Sequence, residues 1–258
     1  MLHALNRREM FGLSGRSLLA SWLAIHAHRA GFAADSAETL MQDWARRLDD
    51  VSRRLTERKI SPLEWQEAVD TLYRSVPMES LLAMIDFRRL ADQLTARDLG
   101  KKGEIFADIS LGPIPKTSRE SDSVSAIVKV AHVKKGRSIP PHGHSSMVSA
   151  FLCVSGEFDV RLYDRIDEVG DDMIVRQSVD QKNAGPGSWS SISDYRDNVH
   201  WLTAKSDDCF LFTCKLIRLE PDREFHGRIN LNMRDAKPLG KSTWRAAKIS
   251  GLESSQIH

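Results

Sequence analysis

Gly136-Arg137-Ser138-Ile139-Pro140-Pro141-His142-Gly143-His144 is followed, after eleven intervening residues, by Gly156. Residues two apart on an extended chain point to the same side, about 6–7 Å apart, so His142 and His144 present both imidazoles to one cavity. Two such nitrogens can hold one metal ion at roughly 2.0–2.2 Å, provided a third ligand arrives from a neighbouring strand. A second stretch supplies one. Ala184-Gly185-Pro186-Gly187 reads as a turn opening a strand, and His200 follows in Asn198-Val199-His200-Trp201-Leu202-Thr203-Ala204. Three histidines are therefore expected to converge inside one barrel.

The surroundings agree with a barrel. Segments 126–133, 147–154, 157–164, 173–179, 200–204 and 210–217 are short, alternate in hydrophobicity and are bounded by Gly, Pro and Asp. Strands at such even spacing predict a mainly β, antiparallel barrel or sandwich, not a parallel βαβ sheet. Cys153 falls within this pattern as a core residue. Cys209 and Cys214, five residues apart, fall on opposite faces of one strand, which argues against their pairing.

Upstream the pattern changes to helix. Leu40, Trp44, Leu48, Val51 and Leu55 recur at three- and four-residue intervals, one apolar stripe on a helix near 36–58. Ser61-Pro62-Leu63-Glu64 is a helix start with a hydroxyl cap, proline at the first position and Glu three after the cap. That helix carries Val69, Leu72 and Tyr73 and stops before Pro77; another runs from about 77 to 98 with Leu81, Ile85, Leu90 and Leu94 inward. No nucleophile, metal set or phosphate loop occurs here, so the segment reads as a helical layer packed on the β domain or at a homodimer contact. The expected organisation is an N-terminal address (1–33), a helical segment (34–100), a β-barrel (101–235) and a C-terminal tail (236–258).

The spacing Gly, five residues, His-x-His and a closing Gly, with the later turn and His200, resembles the two motifs of the cupin superfamily across about residues 125–218. The resemblance implies a cupin-type antiparallel β-barrel (double-stranded β-helix), with His142, His144 and His200 as metal ligands. Many cupins add a Glu five residues after the second His, where this chain has Ser149. A neutral three-histidine site leaves more positive charge on the metal, so it can accept an anionic substrate atom such as a thiolate.

Ser138-Ile139-Pro140-Pro141-His142-Gly143-His144-Ser145-Ser146-Met147, then Gly156 and Tyr163-Asp164, is similar to the thiol dioxygenases of the cysteamine dioxygenase and plant cysteine oxidase type, as is Asn198 to Ala204. That likeness implies a mononuclear Fe(II) on the three histidines, with a small thiol and O2 as substrates and a sulfinic acid as product. It fades beyond the ligands: Thr213 stands where the plant enzymes carry a functional Asp, residues 215–222 lack the family's Pro-Pro-Tyr, and Ser149 replaces the crosslinking Cys of cysteine dioxygenase. A Zn or Mn hydrolase or isomerase uses a similar open site, and a non-catalytic ligand-binding cupin is the third reading. Two further side chains are candidate contacts. Tyr195, ahead of the third His, lies either at the cavity mouth, able to hydrogen-bond substrate or O2, or on a surface loop. Arg161 either faces inward, where it can grip a carboxylate bidentately, or is a solvated strand residue. His132 and His226 match neither motif.

Composition narrows the classes. The 258 residues are 41% hydrophobic and 28% charged, enough for a buried core. Lys plus Arg number 37 against 35 acidic residues, a net +2 that argues against a dedicated nucleic-acid binder. Three cysteines form no C-x-x-C pair, and no apolar run is long enough for a membrane helix. Residues 1–33 carry Arg7-Arg8, then Phe11, a weak apolar stretch near 18–25, and Gly31 and Ala33 before a cut at Ala34. This resembles a twin-arginine export signal, implying the export machinery as a partner and a periplasmic or otherwise exported protein with no stable membrane anchor. Loss of Arg7, Arg8, Arg16, Arg29 and Glu9 with that segment leaves the remainder with a small acidic excess.

Overall fold

Three helices come first. α1 (Ala34–Thr56) buries Trp44, Leu48 and Leu55 on the stripe read from the sequence, while Leu40, nearer its start, is exposed. α2 (Pro62–Arg74) begins with the expected capping box: the Ser61 hydroxyl accepts from Glu64 N, and Ser61 N donates to the Glu64 carboxylate. α3 (Met78–Met84) is short. The computed structural model describes residues 34–84, 106–110, 125–251 and 253–254. The export signal, and the continuation of the third helix through Ile85, Leu90 and Leu94, lie outside the described residues.

Eleven strands follow among the described residues: β1 (Phe106–Ser110), β2 (Ser125–Val133), β3 (Ser138–Gly143), β4 (Met147–Ser155), β5 (Phe158–Val169), β6 (Asp172–Ala184), β7 (Trp189–Ile192), β8 (Val199–Ala204), β9 (Cys209–Ile217), β10 (Ile229–Gly240) and β11 (Thr243–Ile249). They form a five-stranded sheet in the order β1-β2-β9-β4-β7 and a six-stranded sheet closed in the order β10-β11-β6-β5-β8-β3. Every pairing is antiparallel. This is the mainly β, antiparallel barrel that the strand spacing predicts.

Alternation sorts the side chains into three layers. Val148, Ala150, Leu152 and Val154 of β4 and Phe210, Phe212, Cys214 and Leu216 of β9 pack under Trp44, Leu48, Trp65, Val69 and Leu72 of the helices. Residues one step along turn the other way. Cys153, Leu211 and Cys209 meet Ile139, Phe158, Val160, Leu162 and Leu202 between the two sheets. Tyr163, Met173, Val175, Val199, Leu231 and Ala246 fill the far face of the closed sheet. Each fully buried large apolar side chain contributes about 1.5–3 kcal/mol. Polar links also join the helices to the barrel: Gln66 Nε2 donates to Ser191 O at 3.0 Å, and Asp70 accepts from Ser191 Oγ at 2.7 Å and from Arg196 at 2.8 Å. Cys209 and Cys214 sit in different layers, and all three cysteines are free thiols.

Two expectations need correction. Segments 157–164 and 173–179 are parts of the longer hairpin β5–β6, whose outer half carries exposed Asp167, Glu168 and Arg176 and so lost its apolar signal. Residues 236–258 are not simply a tail: the end of β10 and all of β11 lie there, and β11 pairs with β6. Lys237-Pro238-Leu239-Gly240 reads as coil, and Ala246 is the one fully buried position of β11, so alternation is weak in both strands.

Candidate metal centre

Backbone irregularity sets the first ligand. Along β3 and β8, Ile139 pairs with Leu202 and His142 with His200, three steps on one strand against two on the other. The extra residue is a bulge at Pro140-Pro141, which lack the N–H groups a regular ladder requires. The bulge lets Ile139 and His142 both face the space between the sheets. His144 lies just past the end of β3.

The three histidines meet there. Ring centroids are 4.7 Å apart for His142 and His144, 4.1 Å for His142 and His200, and 5.2 Å for His144 and His200. One ring nitrogen from each falls within 4.8 Å of the others. The remaining ring nitrogens of two of them are tied back. His142 Nδ1 donates to Pro140 O at 2.7 Å, and His144 Nδ1 donates to Gly227 O. Their Nε2 atoms, with His200 Nδ1, are buried and have no protein partner. Leaving buried nitrogens unsatisfied costs roughly 1–3 kcal/mol each, a cost that coordination of a cation removes. Burial also holds all three imidazoles well below the usual histidine range, with Lys215 and Arg228 adding charge repulsion at His144 and His200, and His144, His200 and Arg228 doing so at His142. They are therefore neutral at pH 7, the form that binds metals. The donor set fits a divalent cation.

Around the triad the second layer of contacts is specific. Asn198 Oδ1 accepts from His144 N at 3.3 Å, and its Nδ2 donates to His144 O and to Ser193 O, both at 3.1 Å. Gly143 must be glycine here, because a Cβ on it would lie 2.5 Å from Asn198 Oδ1. Arg165 also donates to His144 O, at 3.4 Å. Asp194, almost wholly buried, accepts from Ser146 N at 2.6 Å and pairs with Arg223 at 3.1 Å; burial raises its carboxyl above the ordinary range. Phe151 stands 5.0 Å from the His200 ring. Ser149, also on the inter-sheet face of β4, is fully buried, and its hydroxyl has no partner.

Arg161 and Tyr195 do not join this cluster. Arg161 pairs in register with Trp201, which faces away from its neighbours His200 and Leu202; its guanidinium lies 4.4 Å over the indole and 3.8 Å from Asp180. One step of strand parity separates it from the cavity. Tyr195 is 56% exposed, and its hydroxyl donates to Glu220 at 2.8 Å. His132 stacks on Phe210 beneath the helices, and His226 is half-exposed beside Glu224. Asn198, Asp194, Arg165 and Lys215 were the residues missed. Asn198 had a usable signal, since it stands two before His200 on the same face; Lys215 had another, as the cation inside the apolar run 209–217.

Fold and cluster together define a cupin-type barrel with a site suited to a divalent metal. Solved structures with similar chains include KdgF from Halomonas sp. (15% identity, 46% of this chain and 82% of that one, TM-score 0.30). The polyketide cyclase RemF from Streptomyces resistomycificus (15%, 51% and 75%, 0.32) is another. So is Rru_A2000 from Rhodospirillum rubrum, a cupin-2 domain (12%, 51% and 68%, 0.32). The chain also matches 11S globulins, of which it spans only 20–23%. At these TM-scores the likenesses add nothing to what strand pairing and histidine geometry show. No protein-family model matches the sequence, and no curated protein matches it.

Proposed function

We propose that this protein is an Fe(II)-dependent dioxygenase that converts a small thiol to its sulfinic acid. The observation that carries the reading is a convergent set of three neutral imidazoles with no carboxylate among them and Ser149 where many cupins place Glu. Such a donor set leaves the full charge of the cation available to a thiolate. Bound Fe(II) would supply the open coordination positions and the electrons that make O2 reactive. The chain's own part is to hold the imidazoles in place through Pro140 O, Gly227 O and Asn198, and to shield the cavity from water with Phe151, Ile139 and Leu202. The balance is simple: RSH plus O2 gives RSO2H, with both oxygen atoms ending on sulfur and no other co-reactant required.

Native metal content and oxygen uptake test it. Protein purified without added metal, then loaded anaerobically with Fe(II), is expected to consume one O2 per thiol with at least one member of a small-thiol panel. His142→Ala is expected to abolish the uptake. No uptake with any thiol would overturn the thiol assignment. Resident zinc or manganese without uptake would instead favour hydrolase or isomerase chemistry. The same proposal includes export: residues 1–33 act as a twin-arginine signal, and Arg7→Lys with Arg8→Lys retains the chain in the cytoplasm of a host with that route.

A further inference from the structure

His144 is held at its N–H, its carbonyl and its ring, and each hold leads back to one buried carboxylate. The N–H donates to Asn198 Oδ1 at 3.3 Å, the carbonyl accepts from Asn198 Nδ2 at 3.1 Å, and ring Nδ1 donates to Gly227 O. Asn198 Nδ2 also donates to Asp194 Oδ1, at 3.3 Å. The other oxygen of that carboxylate accepts from Ser146 N, two residues past His144, at 2.6 Å, and pairs with Arg223 Nη1 at 3.1 Å. Ser146 needs such a grip. Its φ of +57° lies in the left-handed region, which a non-glycine residue keeps only when its surroundings fix it.

Arg223 belongs to the connection between β9 and β10, residues 218–228, in which no residue is buried. The connection lies along the His144-Ser145-Ser146 turn on polar contacts. Glu220 N donates to Ser146 Oγ at 2.9 Å, Ser145 Oγ to Glu224 O at 2.6 Å, and His226 N to Ser145 Oγ at 3.0 Å. A segment with so little buried apolar surface opens easily on its own. Yet it carries the Gly227 carbonyl that orients the His144 ring. The Arg223–Asp194 pair ties it to the same carboxylate that holds Asn198 and Ser146.

Stability does not account for a carboxylate at this place. The Asp194 side chain is 2% exposed, and an ion pair withdrawn from water contributes little on balance against its desolvation. What its contacts fix is the geometry of one ligand. We propose that Asp194 is a positioning residue of the metal centre: through Asn198 and Ser146 it sets the backbone of His144, and through Arg223 it closes the 218–228 connection whose Gly227 carbonyl sets the ring. This rests on the reading that the triad holds a metal ion, whichever substrate meets it. Asp194 itself stands outside the ligand cluster, so its removal loosens His144 and leaves all three imidazoles in the chain.

The test uses the full chain and two readouts: Co(II) affinity, from competition with a chromophoric chelator, and amide hydrogen exchange of the metal-free protein. Asp194→Ala is expected to weaken Co(II) binding by about 10–100-fold, the range for loss of an outer contact to a metal ligand. It should also speed exchange in 144–146 and 218–228 by about tenfold or more. Asp194→Asn keeps an acceptor for Ser146 N and loses the charge opposite Arg223, so its affinity should fall by about three- to tenfold. Trp65→Ala, destabilised beneath the helices and remote from this network, measures what lost stability alone does to affinity. Because one route runs through Asn198, the loss in the double variant Asp194→Ala, Asn198→Ala is expected to fall at least about threefold short of the product of the single losses. Co(II) affinity within twofold of wild type in the Asp194 variants, or a loss no larger than that of Trp65→Ala, would overturn the proposal. Fully multiplicative losses in the double variant overturn it too, since Asp194 would then act apart from Asn198. If Asp194→Ala does not fold, Asp194→Asn decides on the same two readouts. The parent reading fails separately. If the wild-type protein does not bind Co(II), the metal reading falls, and unchanged exchange in the metal-free Asp194 variants still sinks the positioning role. Oxygen uptake with thiols does not enter, so loss of the thiol assignment leaves Asp194 in place.

Discussion

Strands β4 and β9 carry opposite chemistries on their two faces. Towards the helices, Val148, Ala150, Leu152 and Val154 meet Phe210, Phe212, Cys214 and Leu216 under Trp44 and Trp65, in a closed apolar layer. Towards the other sheet, Ser149, Thr213 and Lys215 stand beside three histidines, and the Ser149 hydroxyl and three imidazole nitrogens are buried without partners. The first face removes apolar area from water and stabilises the fold. The second leaves polar groups unsatisfied at roughly 1–3 kcal/mol apiece, which no folding requirement explains. A single step along each strand separates stability from function, so the two are expected to respond to different substitutions.

Removing a ligand should give the largest separation. His200→Ala is expected to weaken Co(II) or Fe(II) binding by more than about 100-fold, beyond the 10–100-fold usual for outer contacts. Deleting this imidazole, whose Nδ1 is buried without a partner, should change the unfolding free energy of the metal-free protein by less than about 2 kcal/mol. Trp65→Ala, on the other face, should do the reverse. It removes a fully buried indole and is expected to cost about 3–5 kcal/mol in denaturant unfolding, with metal affinity of the folded protein within twofold of wild type. If either substitution moved both quantities together, the two faces would be one cooperative unit.

Asn198 belongs to the functional face without touching the cavity centre. It fixes both backbone groups of His144, so Asn198→Ala is expected to lower metal affinity by about 10–100-fold and to make alanine at position 143 less costly, because the nearest crowding atom is gone and only Val199 Cγ2, at 3.2 Å, must still give way. Calorimetric titration of the single and double variants checks both effects. A smaller effect follows from protonation. The folded histidines titrate well below 6.5 because burial penalises their charged form. Protons therefore compete with the metal only at still lower pH, and affinity should stay level from pH 8 to 6.5. In the unfolded chain the same histidines take up protons as pH falls through 6.5, so the metal-free protein should lose stability below that point. Metal titrations and denaturant melts at pH 8, 7, 6.5 and 5.5 measure the two trends.

Much of this was legible in the sequence, for reasons that also mark its limits. The triad was readable because metal geometry imposes spacing: Gly136 to His144 and Gly187 to His200 are local signals, and strand parity brings the rings together. The helix start at Ser61 was readable because a capping box is written in four adjacent residues. β10 and β11 were not, since strands with little buried surface lose their alternation and Pro238 mimics a loop. Lys215 was visible as a cation in an apolar strand, but its direction depends on which face of β9 the helices cover. That is a tertiary fact.

Arg161 makes the same point from the other side. Its residue type suits a carboxylate grip, and parity alone decides whether it can supply one. His200 and Leu202 face the cavity, so Trp201 faces out, and Arg161, paired with Trp201 across β5 and β8, goes with it. Its guanidinium is spent on the indole face and on Asp180, exposed contacts worth about 0.5–1 kcal/mol. Arg161→Ala is accordingly expected to cost less than about 1 kcal/mol of stability and to leave metal affinity within twofold of wild type. A marked loss of metal affinity in Arg161→Ala would mean that β5 reaches the triad through its outer face, against the parity that separates the two chemistries throughout the barrel.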